Sequence, residues 1–215
     1  MKKAVILFNL GGPDSLESVR PFLYNLFNDP AIINFPTFIR TPLARFISMR
    51  RTRTAQEIYR QIGGKSPLLD LTLKQRDALE KSLDKDIKVF VSMRYWHPMS
   101  SQTMAEVISY DPEAILLLPL YPQFSTTTTG SSFLDWNRLA NKKAFEKPTV
   151  SICCYFAIEK WVEAQVDLLN QTIKNTNDPG KIRVLFSAHG LPKNIIKLGD
   201  PYQWQVEQSA KLIAE

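Results

Sequence analysis

Cysteine is nearly absent: Cys153 and Cys154 are the only two in 215 residues, and they are neighbours. Adjacent side chains of an extended segment point to opposite faces, which argues against a disulfide framework and leaves two reduced, buried thiols as the expectation. Long apolar runs are missing too, and none approaches the ~20 residues that a membrane-spanning helix needs. Lys2 and Lys3 precede a short apolar run that leads straight into Gly11-Gly12, without the small-residue cleavage site of a secretory leader. The expected location is therefore the cytoplasm. A formal net charge of +6 and a pI near 9.3 would suit nucleic acid, an anionic membrane surface or a small substrate bearing carboxylates, and do not choose among them.

Two nucleotide signatures are also lacking. The turn Gly11-Gly12-Pro13 follows an apolar run, as a phosphate-binding turn would, but it lacks the G-x-G-x-x-G pattern. Gly64-Lys65-Ser66 resembles the end of a Walker A loop, yet Tyr59 stands where its first glycine belongs, and a helical pattern rather than a strand comes before it. Nucleotide hydrolysis is set aside on these grounds.

What is present is alternation. Short apolar runs rich in β-branched residues at 4–10, 87–93, 114–120 and 149–154 read as buried parallel strands. Helical patterns fall between them at about 14–28, 52–62, 71–83, 100–109 and 131–144, which predicts a doubly wound α/β sheet. A further helix at about 158–175 is closed by the breaker Asn177-Asp-Pro-Gly180. A fifth strand at 182–188 and a last helix from about Pro201 follow. Val184-Leu-Phe-Ser-Ala-His-Gly-Leu-Pro192 echoes Val5-Ile-Leu-Phe-Asn-Leu-Gly-Gly-Pro13, as though a second, similar half began there. The expected division is a first domain at 1–155 and the start of a second, incomplete one at 156–215.

The chemistry should gather at strand ends, because ligands of open α/β sheets bind outside the carboxyl ends of the strands. Ser92-Met-Arg-Tyr-Trp-His-Pro98 puts Arg94, Tyr95 and His97 there, and Arg94 suits a carboxylate through paired hydrogen bonds. His97 reads as a turn residue before Pro98. After the third strand, positions 125–132 carry seven hydroxyl side chains in eight, more than one helix cap requires, which fits a polar wall for an anionic substituent. Between Pro21 and Arg53 lie Phe22, Tyr24, Phe27, Phe35, Phe38, Phe46 and Met49, then Arg50, Arg51 and Arg53. They read either as a helical hairpin packing about half its aromatics inward, or as an apolar lip touching a flat ligand or lipid headgroups. His189 is the strongest single candidate: it ends the apolar run at 182–186 and precedes Gly190, where an imidazole faces a crevice and can accept a proton or ligate iron.

Around His189, the residues Ser187-Ala-His-Gly-Leu-Pro192 and Gly199-Asp-Pro-Tyr202 resemble the ferrochelatases. So, in family order, do Phe8-Asn-Leu-Gly-Gly-Pro13, Ile62-Gly-Gly-Lys-Ser-Pro-Leu68, Met93-Arg-Tyr-Trp-His-Pro98, Leu120-Tyr-Pro-Gln-Phe-Ser125 and Thr128-Thr-Gly-Ser-Ser132. The resemblance implies two flavodoxin-like, chelatase-type domains and the insertion of Fe²⁺ into protoporphyrin. It implies His189 as proton acceptor or metal ligand, with Leu10, Ser66, Arg94, Tyr95 and Ser125 lining the porphyrin site. It also implies porphyrin and Fe²⁺ as the partners rather than nucleic acid, and makes the aromatic segment the lip of the porphyrin cleft; peripheral contact of that segment with the inner membrane is a further expectation. Thr126 stands where cluster-bearing members place a cysteine, so no iron–sulfur cluster and no resident cofactor are expected. Leu10 occupies a position where some members carry a tyrosine near the metal, and the acidic element of the family's second domain has no counterpart up to Glu215. A related chelatase acting on coproporphyrin or another metal, and a porphyrin-binding chain without turnover, remain open alternatives.

Overall fold

The computed structural model describes residues 1–177 and 180–215. Asp178 and Pro179, the centre of the expected breaker, lie outside the described residues. The chain divides into two compact units, one of Met1–Tyr121 with Thr126–Ile152 and one of Pro122–Ser125 with Cys153–Glu215.

The first unit is built on four parallel strands, β1 (Lys3–Asn9), β2 (Ile87–Met93), β3 (Ala114–Pro119) and β4 (Thr149–Ser151), in the spatial order β2-β1-β3-β4. Successive side chains of a strand face opposite sides, so a strand covered on both sides must be apolar throughout. β1 obeys this. Ala4, Ile6 and Phe8 face a cluster with Phe90, Met104, Val107, Leu117 and Trp136, while Val5 and Leu7 face a second cluster with Val89. The first cluster is closed by α4 (Ser100–Tyr110) and α5 (Ser131–Lys142), and the second by Leu79 and Leu83 at the end of α3 (Leu68–Ser82). Each fully buried large side chain contributes about 1.5–3 kcal/mol, which makes these two layers the main support of the unit.

A third cluster sits beyond the carboxyl ends of β1 and β2. Val19, Phe22 and Leu23 of α1 (Val19–Phe27) pack there with Tyr95, Leu10 and residues of α2 (Thr37–Gln61). α1 starts later than its pattern predicts, because 14–18 form a turn in which the Ser18 hydroxyl donates to the Asp14 carboxylate. α2 is far longer than the expected 52–62. Its buried side is marked by Ala44 and Ser48 four residues apart, while the other side carries Phe38, Pro42, Phe46, Met49 and Arg53, all exposed. With apolar residues on both sides and a proline inside, α2 shows little of the one-sided periodicity that betrays a helix.

The second unit holds α6 (Glu159–Lys174), the short α7 (Lys193–Lys197) and α8 (Tyr202–Ala214). Pro122–Ser125 is tied to α8: the Phe124 N–H donates to Gln205 Oε1 at 2.7 Å and Gln123 Nε2 donates to Ser209 Oγ at 2.9 Å. Asp200 accepts from the Tyr202 N–H at 3.0 Å, which secures the first turn of α8. The strand expected at 182–188 is not formed. Those residues have no regular secondary structure and are exposed, since the unit offers no other strand among its described residues to supply the ladder that an extended segment needs.

Candidate active site

Beyond the carboxyl ends of β1 and β2 the backbone pairing runs on, with the Arg94 N–H donating to Asn9 O and the Tyr95 N–H to Leu10 O, both at 2.9 Å. This sets Leu10, Arg94 and Tyr95 side by side. The Gly11-Gly12 turn follows, and its glycines are required. Gly11 has a φ of +82°, and a Cβ there would stand 2.9 Å from the Trp96 nitrogen; a Cβ on Gly12 would collide with the Ser66 hydroxyl. Ser66 thus packs onto the turn, its N–H donating to Pro13 O at 2.8 Å. Ser66, expected among the ligand-lining residues, accepts through Oγ from the Leu68 N–H at 3.2 Å.

Arg94 is engaged from three sides. Its Nη2 lies 2.8 Å from Asp29 Oδ2, its Nε donates to Ser131 Oγ at 2.7 Å, and Asp135 Oδ2 stands 3.8 Å from Nη1. Asp29 is the group sequence reading missed. Its buried carboxylate also accepts from the Tyr95 hydroxyl at 2.7 Å, from the Ser131 hydroxyl, and from the Ala31 N–H at 2.8 Å. The carboxylate expected to meet Arg94 is therefore supplied internally. Tyr95, expected to line an open wall, is instead 0% exposed and lies beneath the Arg94 guanidinium, 5.1 Å from it. Burial, and then the Asp29 carboxylate, hold its phenol well above the usual range.

The hydroxyl segment forms one π-helical turn, Thr126–Gly130, that runs directly into α5. Ser131 serves the Asp29 cluster, whereas Ser125 belongs to the second unit, where it is buried and donates to Asp200 Oδ2 at 3.0 Å. His97 behaves as a turn residue, exposed, with Nδ1 2.6 Å from Gln102 Oε1. His189 is exposed in the irregular segment before α7, not at a strand end as the apolar run suggested. The structure thus brings Leu10, Ser66, Arg94 and Tyr95 into the first unit, with Ser125 and His189 in the second. Among the described residues no three histidine, cysteine or acidic side chains cluster as a metal site.

A parallel sheet in the order 2-1-3-4, covered by helices on both faces, defines a flavodoxin-like α/β domain, a class whose ligands bind beyond the carboxyl ends of the strands. Residues 2–215 match the family model described as Ferrochelatase, and the chain belongs to that family. It is 50% identical to the ferrochelatase of Pelagibacter ubique, over all of this chain and 63% of the relative. It is 51% identical to that of Wolbachia pipientis, over all of this chain and 70% of the relative, and 48% identical to that of Caulobacter vibrioides, over 99% and 62%. The chain thus spans roughly three fifths to seven tenths of the length of these relatives.

Proposed function

We propose that this chain carries part of a ferrochelatase, the lyase that inserts ferrous iron into protoporphyrin IX to give protoheme in the last step of heme biosynthesis. The observation that carries the reading is the family match along residues 2–215, which includes the motif around His189. Insertion removes two protons from pyrrole nitrogens while the metal sheds its water. An imidazole in its neutral form can take one of those protons or ligate the incoming Fe²⁺. The exposure of His189 supports this role, since it leaves the ring accessible to a ligand. Leu10 and the Arg94–Asp29 pair would form the firm wall against which the macrocycle rests, with Tyr95 and Ser66 holding that wall from behind.

Anaerobic Fe²⁺ insertion, followed by protoheme absorbance, tests the reading. His189→Ala should lower turnover by about 10²-fold or more while porphyrin binding, followed by fluorescence quenching, persists. Turnover at the wild-type rate in that variant would overturn the assignment. Protoporphyrin against coproporphyrin, and Fe²⁺ against Co²⁺ or Ni²⁺, decide the substrate pair. A wild-type chain that quenches porphyrin fluorescence and forms no heme would instead establish porphyrin binding without insertion.

The reading includes no resident cofactor. Thr126 stands where cluster-bearing members of the family place a cysteine, and its hydroxyl is no thiolate ligand. It also includes contact with an anionic bilayer surface. No helix among the described residues is long and apolar enough to cross a membrane, but α2 presents Phe38 (78% exposed), Phe46 and Met49 beside Arg50, Arg51 and Arg53. Co-sedimentation with anionic vesicles should exceed that with neutral ones and fall in Phe38→Ser/Phe46→Ser; equal sedimentation would count against the contact.

A further inference from the structure

We propose that Cys153 and Cys154 form a bidentate dithiol site for a soft, thiophilic metal or metalloid, of the class represented by trivalent arsenic. Adjacent residues of a strand would hold their sulfurs on opposite faces. β4 ends at Ser151, however, and in the irregular segment that follows both side chains turn the same way, with Sγ···Sγ at 3.1 Å. Neighbouring Cα atoms lie about 3.8 Å apart across a trans peptide, short of the ~4.4 Å minimum usual for a disulfide. The pair is therefore better suited to be bridged by a third atom than to close on itself. A tetrahedral atom about 2.3 Å from each sulfur sets the two roughly 3.8 Å apart, and a pyramidal atom with narrower angles brings them closer, toward the observed spacing.

The site is held and open. Cys153 is exposed, whereas Cys154 is half-buried and its sulfur accepts from Gln205 Nε2 at 3.7 Å. Gln205 is itself buried and fixed through its Oε1 to the Phe124 N–H. Burial, and then the neighbouring thiol, push the Cys154 thiol up to about 11. Cys153, the more accessible of the two thiols, bonds first and Cys154 closes the chelate. No third histidine, cysteine or acidic ligand joins the pair among the described residues. An arsenical, which brings its own organic substituent as the third bond, therefore suits the site better than zinc, which asks for four ligands. With an arsenoxide the step balances: two S–H bonds break, two S–As bonds form, and both protons leave with the oxide oxygen as water. Arsenic stays trivalent and no electrons are exchanged.

Titration of the full chain with phenylarsine oxide, read by intact mass and by counting reactive thiols, tests the site. One arsenical should bind per chain, both thiols should disappear together, and a small dithiol but not a monothiol should reverse the reaction. Loss of the chelate in Cys153→Ser or Cys154→Ser should weaken binding by about 10²-fold or more, with thermal melting followed by circular dichroism confirming that the variants fold. If Cys154→Ser does not fold, the exposed Cys153→Ser decides. Wild-type binding by Cys153→Ser, two reactive thiols remaining at saturation, or thiol loss without added arsenical mass would each overturn the proposal.

Discussion

Ile6, Leu117 and Trp136 of the first unit are shut between a sheet and its helices, whereas Ile182, Leu185 and Phe186 of the second stand in solvent. The two segments are alike in sequence: both are β-branched, apolar and followed by a polar residue and a glycine. They differ in company. β1 has parallel partners on both edges, in register from Lys3 opposite Ile87 and Ala114, while the run at 182–188 has none among the described residues. An apolar run thus carries only the capacity to be a strand; neighbours on both edges and a layer on each face turn that capacity into structure.

The sharpest way to break this comparison is at Asp29. Asp29→Ala leaves the Arg94 cation without its partner and strips the Tyr95 hydroxyl of its acceptor, and should cost about 3–5 kcal/mol in denaturant unfolding of the first unit. A loss below 1 kcal/mol would mean that the cluster is ornamental. Next comes the matched pair Leu117→Ala and Leu185→Ala. The first opens a cavity between sheet and helices and should cost about 2–5 kcal/mol; the second removes a side chain that is 82% exposed and should stay within about 0.5 kcal/mol. Equal costs would show that 182–188 packs in a way its exposure conceals. The smallest effect is alkaline. Tyr95 has its folded-state pKa raised, so its contribution is complete below about pH 10, where the unfolded phenol begins to ionise, and is lost as pH climbs toward the folded value. Stability measured above that point should fall less steeply in Tyr95→Phe than in the parent, and an unchanged slope would deny the burial its role.

Much of the sheet was legible. Residues 87–93 form β2 as read, and β1 and β3 differ from expectation by a residue at their ends, because runs buried on both faces leave a plain apolar record. α2 was legible only in its second half, since Pro42 and the exposed aromatics mask its period. The cysteines were misjudged for a related reason: the strand reading carried them three residues past the true end of β4, so Cys153 is exposed and the two sulfurs meet. Asp29 was invisible. In the run Asn28-Asp-Pro30 it looks like ordinary turn punctuation, and its partners Tyr95 and Ser131 lie 66 and 102 residues away. Arg94 and Tyr95 were singled out as residues lining a ligand site, but sequence gives no means of telling an outward-facing arginine from one already held by its own chain.

Arg40, near the start of α2, donates through Nε to Asn28 O at 2.9 Å and through Nη1 to Phe35 O at 2.6 Å. The next residue after Asn28 is Asp29, which grips Arg94. The aromatic stripe of α2 is thus joined through one arginine and one peptide unit to the carboxylate that holds Arg94 at the mouth of the sheet.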